Sequence, residues 1–330
     1  MLTNPDRNDI RVQITEFCSV QRSFFCLLLL LPSMLSAQCD APICKSSRRF
    51  SACRPISTRA ENTWYHCRML WLRNVDRQRL YRGKTVVLPS AFALAFEDSF
   101  EQLNPSVWRI GQPWGRVHPG QMHEWYSDAA VQADSGLLRL RTFYSPDTLN
   151  VNGMDTLIPY QAGLLCSDVS FTTRYGYFEM RSKNPSGPAV WPAFWLAPVH
   201  GWPPEIDIME MYGKCKGRSL HRLTNSLHYG SIEAGTKGQH VHGIRLPANT
   251  DRLFYTYACR WEPDVITFYL NGYAVHKTYL NKPLQAAFDT PMYMIINNSL
   301  QAAYLQNAGV QPWETVMQVD YVRVFTRSDL

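Results

Sequence analysis

Short runs in which apolar and polar residues alternate fill most of the chain after residue 90. The clearest runs lie at residues 137–142, 175–181, 265–270 and 319–325. A period of two is typical of β-strands with one buried face. The dipeptide Asn271-Gly272, which favours tight hairpins, directly follows one of these runs. No long stretch has a convincing 3.6-residue period, so the pattern predicts an all-β, antiparallel sandwich over residues 91–330.

The first part of the chain has a different composition. Residues 1–89 carry 14 Lys+Arg and 6 Asp+Glu, so their net charge of +8 exceeds the net +6 of the whole chain. Residues 90–330 therefore have a net charge of −2. The basic character belongs to the leader, and it does not indicate a nucleic-acid partner for the body of the protein.

The leader contains an apolar run, residues 23–37, that follows Arg22 and ends on small residues. This arrangement is typical of a secretory signal, and the run is shorter than the roughly 20 residues that a membrane span needs. We expect a signal-containing leader at 1–37, with Val20 near an alternative translation start. Residues 38–90 lack clear periodicity and are predicted to be a poorly ordered pro-segment or linker. The expected location is secreted, periplasmic or cell-surface, with no transmembrane segment.

The segment 204–213 interleaves apolar residues with three acids. On a regular strand, Glu205 and Asp207 share a face, whereas Glu210 points to the opposite face. One extra residue, a β-bulge at Ile208-Met209, would return Glu210 to the face of the other two. Such a row suits glycoside hydrolysis with retention, in which one carboxylate attacks the sugar and another donates a proton. The alternative is an exposed strand edge with solvated acids.

The acidic segment resembles the ExDxxE signature of glycoside hydrolase family 16, present here as Glu205-Ile-Asp-Ile-Met-Glu210. Four other stretches fit the family in order, as does His228; the stretches are 94–100, 175–181, 190–196 and 319–324. The resemblance covers about residues 92–326 and implies a β-jelly roll with a concave substrate cleft. It also implies that Glu205 is the nucleophile, Asp207 a supporting carboxylate and Glu210 the general acid/base. The inserted Met209 is similar to the bulged branch rather than to the ExDxE branch.

The resemblance further implies residues that contact substrate. Trp191 and Trp195 are expected on one face of a cleft strand, because sugar rings stack on aromatic side chains. Trp114 and His228 are further candidates. Glu124 resembles a polar position near the substrate of laminarinases, although the fuller Asn-Glu-Leu-Gln pattern is missing.

The resemblance also implies a metal site away from the cleft. A structural calcium ion is expected at Glu97 and Asp320, since carboxylates are suitable calcium ligands. No cofactor is expected to be needed for catalysis.

The sequence therefore predicts a secreted, retaining endo-glycosidase that acts on β-1,3-glucan or mixed β-1,3/1,4-glucan. We expect a monomer whose partner is the polysaccharide. One alternative is a hydrolase of marine galactans, whose sulfate groups would require basic residues in the cleft; the candidates are Arg116, Arg174, Lys183 and Arg222. A second alternative is a non-catalytic glucan-binding module.

Overall fold

The computed structural model describes residues 59–118, 122–213, 222–231, 235–246, 250–302, 304–305 and 314–329. The predicted signal at 1–37 lies outside these ranges, as does the part of the predicted linker at 38–58. Within the described residues, no helix combines the length and the apolar character that crossing a membrane would require.

The described residues contain sixteen strands. In chain order they are β1 (Phe92–Asp98), β2 (Arg109–Ile110), β3 (Glu124–Tyr126), β4 (Val131–Asp134), β5 (Leu137–Val151), β6 (Met154–Cys166), β7 (Gly176–Lys183), β8 (Val190–Pro198), β9 (Glu205–Glu210), β10 (Arg222–Tyr229), β11 (Gly238–Arg245), β12 (Tyr255–Trp261), β13 (Val265–Leu270), β14 (Tyr273–Tyr279), β15 (Met292–Leu300) and β16 (Glu314–Arg327). The predicted run 265–270 coincides with β13, and Asn271 and Gly272 form its hairpin turn with φ of 47° and 76°.

The strands follow the order β11-β10-β9-β8-β15-β6-β5-β16-β7-β12-β13-β14. The pairs along this path are antiparallel, and the short β3 runs parallel to β6 at one side. The first and last parts of this path form two layers that share one hydrophobic core. Phe194 and Ile206 enter that core from the first layer, and Phe178 and Phe268 enter it from the second. The prediction of an all-β jelly-roll sandwich is confirmed.

Residues 59–82 differ from the sequence-based expectation of a poorly ordered linker. They form helices α1 (Arg59–Asn74) and α2 (Arg77–Arg82), and a third helix, α3 (Lys282–Ala287), lies late in the chain. Met69, Leu72 and Leu80 are buried in the main core of the sandwich. The domain therefore begins before residue 91.

Helix α1 covers the edge strand β14 through polar contacts. The Asn62 amide pairs with the backbone of Lys277, donating to its O at 2.9 Å and accepting from its N at 2.9 Å. The Arg68 guanidinium donates to the carbonyl oxygen of Ala274 at 2.5 Å. These contacts occupy backbone groups that an edge strand leaves unpaired. Because polar residues occupy the inward face, the apolar period that would predict this helix is weak.

Candidate active site

The acidic strand β9 contains the predicted bulge. Opposite it on β10, Thr224 pairs with Glu210 and Ser226 pairs with Asp207, so two steps on β10 match three steps on β9. The neighbouring strand β8 has a register shift at the same place. The Asn225 amide donates to the carbonyl oxygen of Ile208 at 2.6 Å and so satisfies an acceptor within the bulge. The bulge brings Glu210 to the cleft side, as the sequence predicted.

Glu205 and Asp207 meet a histidine and a tryptophan at one end of the row. The Trp202 indole N–H donates to Glu205 Oε2 at 2.7 Å. The Nε2 atom of His228 lies 3.3 Å from Glu205 Oε1 and 3.1 Å from Asp207 Oδ2. Asp207 also interacts electrostatically with both Glu205 and Glu210. The three acids therefore form one continuous chain of polar contacts.

Three donors hold Glu210 at the other end of the row. The Trp191 indole N–H and the Tyr212 hydroxyl donate to Glu210 Oε1 at 3.0 Å and 2.7 Å. The Ser226 hydroxyl donates to Glu210 Oε2 at 3.2 Å. The two outer acids thus sit in different surroundings: an indole and a histidine contact Glu205, whereas hydroxyl groups and a second indole contact Glu210.

Burial makes it costly for all the acids to be ionised together. It raises the pKa of Glu205 well above its ordinary value, and the nearby Asp207 carboxylate raises it further. The His228 ring and the Trp202 N–H oppose that rise by favouring the ionised form. Burial, with the Glu210 carboxylate, also raises the pKa of Asp207. Both shifts favour a protonated carboxyl group in the row, and acid catalysis needs such a proton.

A cavity of about 780 Å³ opens above the row. Its lining includes all three acids as well as Trp114, Trp191 and Trp195. Phe194, between the last two tryptophans, is buried in the core, so the predicted alternation along β8 is confirmed. The Trp195 indole N–H donates to Asn297 Oδ1 at 2.8 Å and thereby fixes the ring. The volume lies within the usual range of ligand-binding clefts, and four tryptophans and two tyrosines are among the lining residues.

Glu124 does not occupy the place expected for a substrate contact. Its side chain is buried at 1% exposure, and it is absent from the described residues that line the cleft. Its Oε2 accepts a hydrogen bond from the backbone N–H of Leu300 at 2.8 Å. Burial raises the pKa of Glu124 to about 8. Because it is buried and bonded to the backbone of β15, this carboxyl group faces the interior and supports the fold.

Glu97 and Asp320 do not fit a calcium site. Glu97 accepts from Arg323 at 2.5 Å, and Asp320 pairs with Arg181. An arginine on each carboxylate supplies the positive charge that a calcium ion would provide. Among the described residues, only Glu205, Asp207 and His228 bring three potential ligand atoms within 4.8 Å of one another.

Sequence reasoning did not assign three residues that contact the row. Trp202 lies beside the row through its hydrogen bond to Glu205. Tyr212 follows Glu210 by two residues, and this spacing places both side chains on the same face of an extended chain, so the sequence already indicates that they are close. Ser226 lies opposite Asp207 across the β9–β10 pair. Its position depends on strand register, which the sequence does not reveal.

A jelly-roll sandwich with three linked carboxylates in an aromatic cleft defines the class of β-sandwich glycoside hydrolases. Residues 125–323 match the sequence profile of glycosyl hydrolases family 16, and the chain belongs to that family.

Three known proteins illustrate the likeness. The endo-1,3-1,4-beta-glycanase ExsH of Rhizobium meliloti is 30% identical over 260 residues, which are 72% of this chain and 52% of ExsH. A keratan-sulfate endo-1,4-beta-galactosidase of Sphingobacterium multivorum is 33% identical over 51% of this chain and 40% of its own. The crystal structure of SCLam, a non-specific endo-beta-1,3(4)-glucanase, has a TM-score of 0.60 and 24% identity, covering 74% of this chain and 95% of SCLam. The chain spans about half the length of the curated relatives it matches.

Proposed function

We propose that this protein is an endo-acting hydrolase of β-1,3-glucan or mixed β-1,3/1,4-glucan that retains anomeric configuration. The observation that carries the proposal is the row of Glu205, Asp207 and Glu210 on the bulged strand, at the floor of an aromatic cleft. ExsH is named an endo-1,3-1,4-beta-glycanase and SCLam an endo-beta-1,3(4)-glucanase, and both names support a β-glucan as the substrate.

In the proposed reaction, the Glu205 carboxylate attacks the anomeric carbon of the bound sugar. Glu210 donates a proton to the leaving glycosidic oxygen, the glycosidic bond breaks, and a glycosyl ester forms on Glu205. The Glu210 carboxylate then takes a proton from water, whose oxygen attacks the same carbon and releases Glu205. The Trp202 N–H and His228 contact Glu205 and oppose the rise in its pKa that burial causes, and they hold the carboxylate in place for attack. Asp207 lies between the two glutamates and interacts with both, so it acts as a supporting carboxylate.

The cleft favours a neutral glucan over a sulfated galactan. Among the described lining residues there is no arginine, and Lys237 lies 4.1 Å from the centre of the Trp202 ring. Two of the arginines considered for sulfate recognition pair with acids instead: Arg116 with Asp128 and Arg174 with Asp289. The keratan-sulfate galactosidase keeps a galactan as the second candidate substrate.

The decisive experiment measures reducing-end release by the full chain on laminarin, lichenan, agarose and keratan sulfate. We expect cleavage of laminarin, with or without lichenan. Glu205→Gln should lower turnover by about 10³-fold or more, because the nucleophile is removed. Glu97→Gln is the matched control, since that glutamate lies in a surface ion pair, and it should leave turnover unchanged.

The stereochemical part has its own measurement. Proton NMR of the first product should show the β-anomer at the new reducing end, since two inversions give retention. Cleavage of only agarose or keratan sulfate would show that the substrate is a galactan rather than a glucan, with the three acids in the same roles. Equal turnover by wild type and Glu205→Gln, or the α-anomer as first product, would refute the proposed mechanism. We also propose secretion, supported by the apolar run at 23–37; sequencing the mature N-terminus after expression in the native host tests it.

A further inference from the structure

A second cavity, of about 690 Å³, lies between α1, α2 and the β13–β14 hairpin. We call it the helix pocket, and its lining includes Trp64, Arg68, Trp71, Arg79, Arg82 and Lys84. No described residue lines both this pocket and the catalytic cleft. The pocket adjoins β14 in the second layer, whereas the catalytic row lies on β9 in the first. It is therefore separate from the proposed active site.

The helix pocket has an excess of positive charge. Four cationic side chains line it, and Asp76 is the acid in that lining. Asp76 Oδ1 accepts from the backbone N–H of Arg79 at 3.0 Å, so its carboxylate caps α2. Among the described residues, no carboxylate forms an ion pair with any of the four cations. Outside the pocket, several arginines of the described residues form ion pairs with carboxylates, as in Arg109–Asp168 and Arg141–Glu314.

Two exposed tryptophans flank these cations. Trp64 and Trp71 are 54% and 37% exposed. The Arg68 guanidinium lies over the Trp64 ring, 4.4 Å from its centre, and 5.6 Å from the centre of the Tyr273 ring, so it occupies one face of the exposed Trp64 indole. The C–H face of a pyranose stacks on an indole, and guanidinium groups bind sulfate or carboxylate oxygens. The pocket offers both kinds of contact within one surface.

The hairpin fixes one wall of the pocket. The Asn271 amide donates to the carbonyl oxygen of Leu80 at 3.0 Å, and the Lys84 backbone N–H donates to Asn271 O at 3.1 Å. Gly272 has φ of +76°, and a Cβ on it would lie 1.7 Å from Lys84 O. Only glycine allows that approach. The backbone that carries Arg82 and Lys84 is therefore positioned before any ligand arrives, which lowers the entropy lost on binding.

We propose that the helix pocket binds an anionic polysaccharide, through pyranose rings stacked on the tryptophans and sulfate or carboxylate groups on the cations. A neutral glucan would offer the four cations no anionic partner. Residues 1–58 of this chain complement the pocket poorly, because they carry seven Lys+Arg against four Asp+Glu. Binding here would hold the protein on a charged matrix and leave the cleft open to its own substrate.

The test measures the affinity of the full chain for dextran sulfate, polygalacturonate and neutral laminarin by isothermal titration calorimetry. The first two polymers separate sulfate from carboxylate recognition. The pocket variants are Arg82→Ser/Lys84→Ser, which removes two exposed cations, and Trp64→Ala. The double variant Arg139→Ser/Arg174→Ser is the charge-matched control, because both arginines are surface residues paired with acids. Trp114→Ala reports any binding of the same polymers in the cleft.

We expect each pocket variant to bind at least one anionic polymer about tenfold more weakly, with an unchanged melting temperature. Arg82→Ser/Lys84→Ser should also reduce the dependence of affinity on salt. The charge-matched control and Trp114→Ala should bind like wild type. Four results would overturn the proposal: no binding of either anionic polymer, equal losses in the charge-matched control, a loss with Trp114→Ala alone, or binding only after residues 1–58 are removed.

Discussion

Deletion of Met209 would separate the position of the carboxylates from the bulge that now produces it. The shortened strand reads Glu-Ile-Asp-Ile-Glu, and strict alternation places all three acids on one face. On the partner strand β10, four residue steps separate His228, which is opposite Glu205, from Thr224, which is opposite Glu210. After the deletion, four steps on β9 would match those four steps. The shortened strand would then have the ExDxE spacing, which the sequence resemblance assigns to the other branch of the family.

The structure gives the size of the two effects. Met209 is fully buried and its sulfur contacts the Asn184 amide at 3.4 Å, so its loss should cost about 2–5 kcal/mol of unfolding free energy. The melting temperature of a domain this large should fall by about 5–15 °C. Turnover should fall by no more than about 10²-fold, the effect of shifting a catalytic group by roughly 1 Å.

The assay combines turnover on laminarin with thermal unfolding followed by circular dichroism. Met209→Ala is the matched control for stability, because it removes the side chain and keeps the bulge. Glu210→Gln is the control for loss of the acid/base and should be far less active than the deletion. A folded deletion variant that is as inactive as Glu210→Gln would refute the reasoning, since the carboxylates would then need the bulge itself.

Three further results are expected. His276 is 5% exposed with its Nε2 3.0 Å from that of His240, and burial lowers its pKa to about 2, so the unfolded chain binds its proton more readily. Relative to His276→Gln, wild type should therefore lose about 2 kcal/mol of stability from pH 6.5 to 4.5 in urea unfolding, and a difference that stays constant with pH would contradict the assignment. Glu124 has the opposite sign, because its pKa is raised to about 8 and its neutral form stabilises the fold at low pH. Relative to Glu124→Gln, wild type should lose up to about 4 kcal/mol as the pH rises from 4.5 to 8, and equal pH profiles for the two proteins would contradict the assignment. A chain that starts at residue 90 should be less stable by about 5 kcal/mol than one that starts at residue 59, because buried leucine and methionine side chains are lost with α1 and α2. Equal melting temperatures of the two chains would show that the helices contribute nothing to stability.

The strands and the acidic row were predictable because each depends on local sequence. Alternation identifies the start of β5, where half-buried and buried residues follow one another in turn, and the odd spacing between Asp207 and Glu210 requires an extra residue if the acids are to share a face. The surroundings of the row were not predictable. Ser226 and His228 reach it from β10, whose register is set by tertiary packing.

Glu124 shows where a family resemblance misleads. The residue type is compatible with substrate contact, but the direction of its side chain depends on the parallel pairing of β3 with β6. Long-range pairing of this kind leaves little trace in a three-residue strand. The interior position then raises the pKa of the carboxyl group, which a surface position would not do.

The N-terminal helices show a different reason why sequence patterns fail. A helix that covers an edge strand has to satisfy backbone donors and acceptors, so its inner face needs amides and guanidinium groups as well as apolar side chains. Asn62 and Arg68 meet that need, and both weaken the apolar period by which helices are recognised. The same polar face holds Arg68 beside Trp64, at the wall of the helix pocket. The contacts that close the edge of the sandwich therefore also place the cation and the aromatic ring on which the proposed polysaccharide site depends.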